Sequence, residues 1–183
     1  MKHTFLAAAL IIASSVAFAD TTSVLLDRDK VRSMSAEEYA AAVRSAPDVE
    51  VRDTLGNTPL HIAAMFGTPN NIAALVSAGA DVEARGSFGN TPLHFAAMIG
   101  TPDNITAILS AGADVNARNE IGTTPLHTAA LLGTPDNITA LLEAGASGSV
   151  KIKDGRTPFD LAGGNYKIKG TAAYWALNDA QYK

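Results

Sequence analysis

With 183 residues, a formal charge of -4 and no cysteine, the chain is mildly acidic and has to hold its fold without disulfides. That balance excludes nucleic acid or an anionic membrane surface as the main partner. A domain near 150 residues buries about 70% of its unfolded surface, so the length suffices for a self-supporting core.

The chain opens on a processing signal. Lys2 supplies a positive start, Phe5 to Val16 is an apolar run broken only by Ser14 and Ser15, and Ala17-Phe18-Ala19 offers the small-x-small pattern of a cleavage site. Residues 1–19 are expected to be a signal peptide, leaving Asp20 as the first mature residue and making the remainder more acidic by the loss of Lys2. Retention as an N-terminal anchor is the alternative, although the apolar run is shorter than the roughly 20 residues of a spanning helix. No later stretch is apolar for long enough to cross a bilayer, so no membrane span is expected after processing.

Residues 20–52 are expected to form a linker and a capping helix. Ser35-Ala36-Glu37-Glu38 reads as a capping box leading into Tyr39, Ala42 and Val43, with Pro47 stopping the helix. A repeat follows. Thr58-Pro59-Leu60-His61 returns as Thr91-Pro92-Leu93-His94 and Thr124-Pro125-Leu126-His127, then in degenerate form as Thr157-Pro158-Phe159-Asp160, always 33 residues apart. Residues 100–107 recur unchanged at 133–140, and Gly79-Ala80-Asp81-Val82 recurs as Gly112-Ala113-Asp114-Val115.

Each unit reads as a helix pair with a protruding hairpin. Thr91 is a suitable N-cap and Pro92 occupies the first helical position, where no amide donor is missed. Leu93, Ala96 and Ala97 share one helical face, and the two alanines leave room for a second helix. Gly100 ends the first helix, Thr101-Pro102 starts the next by the same device, and Ile105, Ile108 and Leu109 give it an apolar face. After Gly112 the chain reads as an extended finger turning at Gly122. One such unit cannot bury its own apolar faces, so the copies must stack.

The spacing, the Thr-Pro-Leu-His-x-Ala-Ala core and the Gly-Ala-Asp-Val-Asn-Ala ending at 112–117 resemble the ankyrin repeat over residues 53 to about 160. The Thr-Pro-Asn or Thr-Pro-Asp opening of the second helices departs from the family's usual opening and is similar to that of exported bacterial ankyrin proteins. The resemblance implies an all-α ankyrin-repeat solenoid of stacked helix pairs, with short β-hairpin fingers and capping helices at both ends. Its repeats would span 53–85, 86–118 and 119–151, followed by a degenerate repeat and C-terminal cap at 152–183. There Gly163-Gly164-Asn165 closes a short helix, and Thr171 caps a last helix carrying Tyr174, Trp175 and Leu177. Trp175, the only tryptophan, is expected in the core of this cap, a ligand-stacking role being the alternative.

No reactive constellation emerges. His61, His94 and His127 sit at one place in successive repeats and read as a structural ladder. The ankyrin resemblance implies that each links its neighbouring threonine to the next loop. No phosphate loop, paired-histidine zinc helix or serine-nucleophile elbow is present. Asp81, Glu83 and Asp114 lack the spacing of a calcium loop and read as solvated or capping residues. Asn104-Ile105-Thr106 and Asn137-Ile138-Thr139 match the glycosylation sequon but start helices. Lys151, Lys153, Arg156, Lys167 and Lys169 make the last unit locally basic, read as a solvated face. No catalytic residue, metal or cofactor is expected.

In ankyrin proteins partners meet the finger tips and the exposed side of the first helices. Carried over repeat by repeat, those positions are Leu55, Phe88 and Ile121 at the tips, and Met65 with Phe66, Met98 with Ile99, and Leu131 with Leu132 near the helix ends. All are large and apolar where many family members are polar. Arg85 and Arg118 add a cationic ladder at the finger bases, continued by Lys151. Burying one such apolar side chain contributes roughly 1.5–3 kcal/mol, so several together can offset an association cost of roughly 4–15 kcal/mol. The bland alternative is that fingers and helices cover one another. The expected function is a non-catalytic, periplasmic or secreted protein-binding module acting as scaffold, inhibitor or protector. A self-associating envelope component is the alternative, and an enzyme with a site around Tyr166, Tyr174 and Trp175 a remote one.

Overall fold

The computed structural model describes residues 21–182, so the expected signal peptide lies outside the described residues. The second repeat shows how the sequence dictates the unit. Thr91 and Pro92 start α6 (Pro92–Ile99), whose Leu93, Ala96 and Ala97 are fully buried. The helix stops at Gly100 because a side chain is impossible there: a Cβ would stand 2.5 Å from the Ala64 carbonyl of the preceding repeat. Gly133 is held in the same way, 2.6 Å from the Ala97 carbonyl. The alanine pair on one helix and the glycine ending the next thus permit the closest approach in the stack. The Thr101 hydroxyl then accepts from the Asn104 amide at 3.2 Å and starts α7 (Pro102–Ser110), which buries Ile105 and Ile108. Gly112 ends it with φ 100, a left-handed conformation that favours glycine.

The same pair recurs as α4 (Pro59–Phe66) with α5 (Pro69–Ser77), and as α8 (Pro125–Leu132) with α9 (Pro135–Glu143). First helices stack on first helices and second on second, giving two parallel rows around one continuous core. The fingers differ from the hairpins expected. Each is a tight turn closed by its own backbone bonds, as in Asn119 N–H to Thr123 O (3.0 Å) and Gly122 N–H to Asn119 O (3.0 Å), and the described residues contain no β-strand. Successive tips touch through bonds such as Glu120 N–H to Phe88 O at 3.3 Å, too few to make a ladder.

The N-terminal segment is more than a linker and one helix. After α1 (Thr21–Leu26), which buries Val24 and Leu25, α2 (Arg28–Ser33) packs on α4 and α3 (Ala36–Ser45) on α5. These are the first- and second-helix places of a further unit, one 33-residue step upstream. The Ser35–Glu38 capping box stands where Thr68 and Asn71 stand in the next unit, and Tyr39 fills the place of Ile72, fully buried. Pro47-Asp48-Val49-Glu50 matches Ala80-Asp81-Val82-Glu83, and the Glu50 carboxylate accepts from the Asp81 amide (2.9 Å) as Glu83 does from that of Asp114 (2.9 Å).

Polar side chains join the repeats at fixed places. The Asn104 amide donates to the carbonyls of Ala64 (3.2 Å) and Gly67 (3.0 Å), and Asn137 to those of Ala97 (3.3 Å) and Gly100 (3.1 Å). Asn165, from the loop after α10 (Pro158–Ala162), does the same to Ala130 and Gly133, both at 3.2 Å. Asn104 and Asn137 are buried with their nitrogens engaged, which closes both sequons to modification in the folded chain.

The C-terminal cap corrects one expectation. In α11 (Ala172–Ala180) the buried residues are Ala173 and Leu177, one turn apart, whereas Trp175 is 57% exposed. Two residues from each, it stands about 200° round the helix from that face. The cap docks because Gly148 replaces the valine of the earlier units (Val82, Val115): a Cβ at Gly148 would stand 2.6 Å from the Ala180 Cβ. Gly148→Val is therefore expected to lift α11 and cost about 1–3 kcal/mol in urea unfolding, with loss of amide-exchange protection at Leu177. Undiminished protection there would show that this contact does not seat the cap.

Candidate partner-binding surface

Side chains inside each finger set the direction of its tip. In the first finger the Asp53 carboxylate accepts from the amides of Leu55 and Asn57, both at 2.8 Å. Asn119 does the same in the third, accepting from Ile121 (3.1 Å) and Thr123 (2.9 Å). These side-chain-closed turns hold the tips in relaxed backbone. The second finger has Gly86 at that place, because a Cβ would meet Asn57 Oδ1 at 2.6 Å and His61 Nε2 at 2.8 Å. Its turn is tied to the first finger instead: the Ser87 amide and hydroxyl donate to Asn57 Oδ1 at 3.0 and 3.1 Å. Phe88 follows with φ 58, the only non-glycine in the left-handed region among the described residues, and its ring is 77% exposed.

A groove of about 500 Å³ runs between the first two fingers and the inner faces of α4 and α6. It brings together Leu55, Met65, Phe66, Phe88 and Met98. Sequence reasoning missed Leu26, contributed by α1, and the pair Ile62 and Phe95. Those two occupy the variable position of Thr-Pro-Leu-His-x-Ala-Ala, a signal that could have placed them in the groove. Ile121, Ile99, Leu131 and Leu132 lie outside it but are exposed, at 56%, 49%, 45% and 47%. Met65, Phe66 and Met98 are half-buried, and the Arg32 guanidinium of α2 lies 5.4 Å over the Phe66 ring. At the helix ends coverage therefore grows toward the N-terminal end and the apolar row opens toward the third repeat, whereas the tips Leu55, Phe88 and Ile121 are exposed in every finger. It ends at the fourth finger, whose tip carries an Asp154–Arg156 ion pair at 2.6 Å. Hydrogen bonding to Arg156 holds the Asp154 carboxyl below its ordinary pKa.

The arginines turn out to be structural ties as well as surface charge. Arg85 Nη1 donates to Gly89 O (3.1 Å) in its own finger and to Arg118 O (2.7 Å) in the next, and Arg118 Nη2 donates to Lys151 O (2.7 Å). The ladder starts one step earlier than expected, with Arg52 donating to Gly56 O (2.7 Å) and Arg85 O (2.6 Å), and Lys151 enters through its carbonyl alone. A partner thus meets only the exposed edges of Arg85 and Arg118.

Under the fingers the histidines are buried and neutral. The Thr91 amide donates to His94 Nδ1 (3.2 Å), so the ring proton sits on Nε2, which donates to Thr123 O (2.9 Å). His61 repeats this with Thr58 and Asn90 O, and His127 with Thr124 and Arg156 O. Burial holds each imidazole well below its ordinary pKa, at about 4. No group of three or more His, Cys, Asp or Glu among the described residues is arranged to hold a metal ion.

The family model for ankyrin repeats in three copies matches residues 31–119 and 85–154, together more than half of the chain. No curated protein matches it.

The strain at Phe88 is measurable by itself. Phe88→Asn, which accepts the left-handed conformation, is expected to stabilise the chain by up to about 1 kcal/mol in urea unfolding, since the exposed ring gives up little burial. A loss of more than about 1 kcal/mol would mean that the ring is part of the core.

Proposed function

The chain belongs to the ankyrin-repeat family, whose repeats are in general protein-interaction modules without catalytic activity, and from that premise we propose that its concave face holds one protein partner outside the cytoplasm, as scaffold, inhibitor or protector. The observation that carries the reading is the row of large apolar side chains left open there. Leu55, Phe88, Ile99, Ile121, Leu131 and Leu132 are each at least 45% exposed. Soluble monomers rarely leave more than a few hundred Å² of contiguous apolar surface uncovered unless it is used. The aromatic and methionine side chains of the groove suit such use, because rings bring area at low entropic cost and methionines adapt to a partner's shape.

Export is supported by the pattern of residues 1–19, a positive start followed by an apolar run and a small-x-small ending. No described helix is long and apolar enough to cross a membrane.

A second reading, self-association as an envelope component, has its own support. Tyr166, Trp175 and Tyr182 are 85%, 57% and 80% exposed and lie together in sequence at the C-terminal cap. Light scattering on size-fractionated protein separates the two: a monomer at micromolar concentration speaks for the binding module.

The decisive variant changes Phe88, Ile99 and Leu132 together to glutamate, positions chosen because each side chain is at least 47% exposed. Its melting temperature is expected to match that of the native protein. Native protein immobilised in periplasmic extract of its source is expected to retain a partner that the folded variant loses. Capture of the same set by both removes the concave face as the contact site.

A further inference from the structure

The concave face depends on three buried rings that can exist in only one protonation state. His61, His94 and His127 are 0–1% exposed, and each ring bridges two repeats. On one side Nδ1 accepts from a threonine amide at the start of its own helix, at 3.1–3.2 Å. On the other, Nε2–H donates to the carbonyl of Asn90, Thr123 or Arg156, at 3.0, 2.9 and 3.4 Å. Those carbonyls are also the ones that close the fingers: they accept from the amides of Gly86 (2.9 Å), Asn119 (3.0 Å) and Ile152 (3.0 Å). Every histidine therefore fixes the start of a first helix to the base of the following finger.

A second proton breaks this arrangement. Placed on Nδ1, it confronts the threonine amide, donor against donor. The threonine hydroxyl, 2.8–2.9 Å away, can turn to accept it, but the amide is left buried without a partner. The surroundings offer little relief for the new charge. His61 faces Arg52 of the first finger and Asp53, and is edge-on to the Phe95 ring at 5.0 Å. His94 faces Arg85 and the two other histidines, each of which disfavours a charge on its ring. His127 faces Arg118, with Asp154 opposing.

We infer that the three histidines form an acid-sensitive latch: mild acid releases fingers two to four from the inner helices and so dismantles the concave binding face. This rests on that face being the contact site. The sign follows from linkage. The folded-state values, about 4, lie below the ordinary 6.5, so the unfolded chain binds more protons between them. The latch is fully in place above pH about 6.5 and is lost as the pH falls toward 4.

Urea unfolding of the full chain at pH 6 and pH 5, followed by circular dichroism, reads the proton uptake. Three rings moving between these values raise the unfolding constant about 400-fold over that one unit, and a single ring about sevenfold. Carboxylates intrude little, because their ordinary values of 3.8 and 4.5 lie lower. A rise of tenfold or less overturns the latch. His127→Asn removes the longest rung and is expected to reduce the rise to about 50-fold; a variant keeping the full rise overturns it too. Imidazole nitrogen shifts at pH 7 give a reading that needs no variant: the Nε2–H tautomer is expected at all three rings, and Nδ1–H at any of them overturns the proposal. The Phe88, Ile99, Leu132 glutamate variant separates this from the function proposed above. It should keep the steep pH dependence while losing its partner, and if it keeps both, the contact site is wrong and the latch stands.

Discussion

The stack is organised by the need to satisfy backbone groups at the seams between repeats. A helix pair leaves carbonyls of its first helix, of the turn after it and of its finger pointing at the neighbouring unit, the helix-end and finger-base ones buried or half-buried and the finger-flank ones at the solvent edge. Each is met by a side chain from an adjacent copy: histidine at the finger base, arginine along the finger flank, asparagine beneath the helix ends. Because the need recurs once per unit, so do the residues, at identical spacing. An unpaired buried carbonyl or amide costs about 1–3 kcal/mol, so the histidine and asparagine positions tolerate little change. The apolar core needs small residues at the closest approach and is freer elsewhere, where Ile and Leu alternate with Val31, Val43 and the ring of Tyr39.

The chemistry left for function is what the seams do not consume. The histidines are neutral and engaged at both nitrogens, and the finger arginines are bonded to carbonyls. Asp53 and Asn119 close turns. What remains outward on this face is largely apolar: the finger tips and the last turn of the first helices, underlain in the groove by the buried Ile62 and Phe95. The second finger departs from the pattern because Gly86 makes room for Asn57 and His61, and the turn then places Phe88 in a conformation aromatic residues seldom adopt. Strain of this kind persists where surrounding structure over-determines it, and it clusters at working surfaces.

Much of this was legible in sequence because a stacked array translates one local code. The cap residues, the helix-ending glycines and the buried Leu, Ala and Ile positions all follow from the capping and periodicity of a single unit. The degenerate ends were harder. The N-terminal unit was legible only as a helix with a linker, since Asp27 starts its first helix without the Thr-Pro-Leu-His signature. The finer register Pro47-Asp48-Val49-Glu50 nevertheless carries the repeat. Trp175 was expected in the core of the cap, while the helix period sets it opposite Ala173 and Leu177. At the candidate site the finger tips could be named from the repeat, but the groove's depth could not. Leu26 reaches it from an element outside the repeat code, and Arg32 shields Phe66 from a helix whose position no local pattern specifies.

The arginine ladder has a further consequence for how such a chain can change its length. Arg52, Arg85 and Arg118 each address a carbonyl one unit ahead, so every rung is a bond between equivalent addresses and not between particular partners. Excising residues 86–118 would bring Arg85 against the Lys151 carbonyl that Arg118 now holds, and duplicating the same block would insert one more identical rung. Insertions and deletions are thus neutral to the seams only in whole units, and evolution by unequal exchange can lengthen or shorten the concave face without redesigning a joint. Such an excision would take a whole helix pair together with the finger that carries Phe88, and it would set Asn119 where Gly86 now makes room for Asn57 and His61.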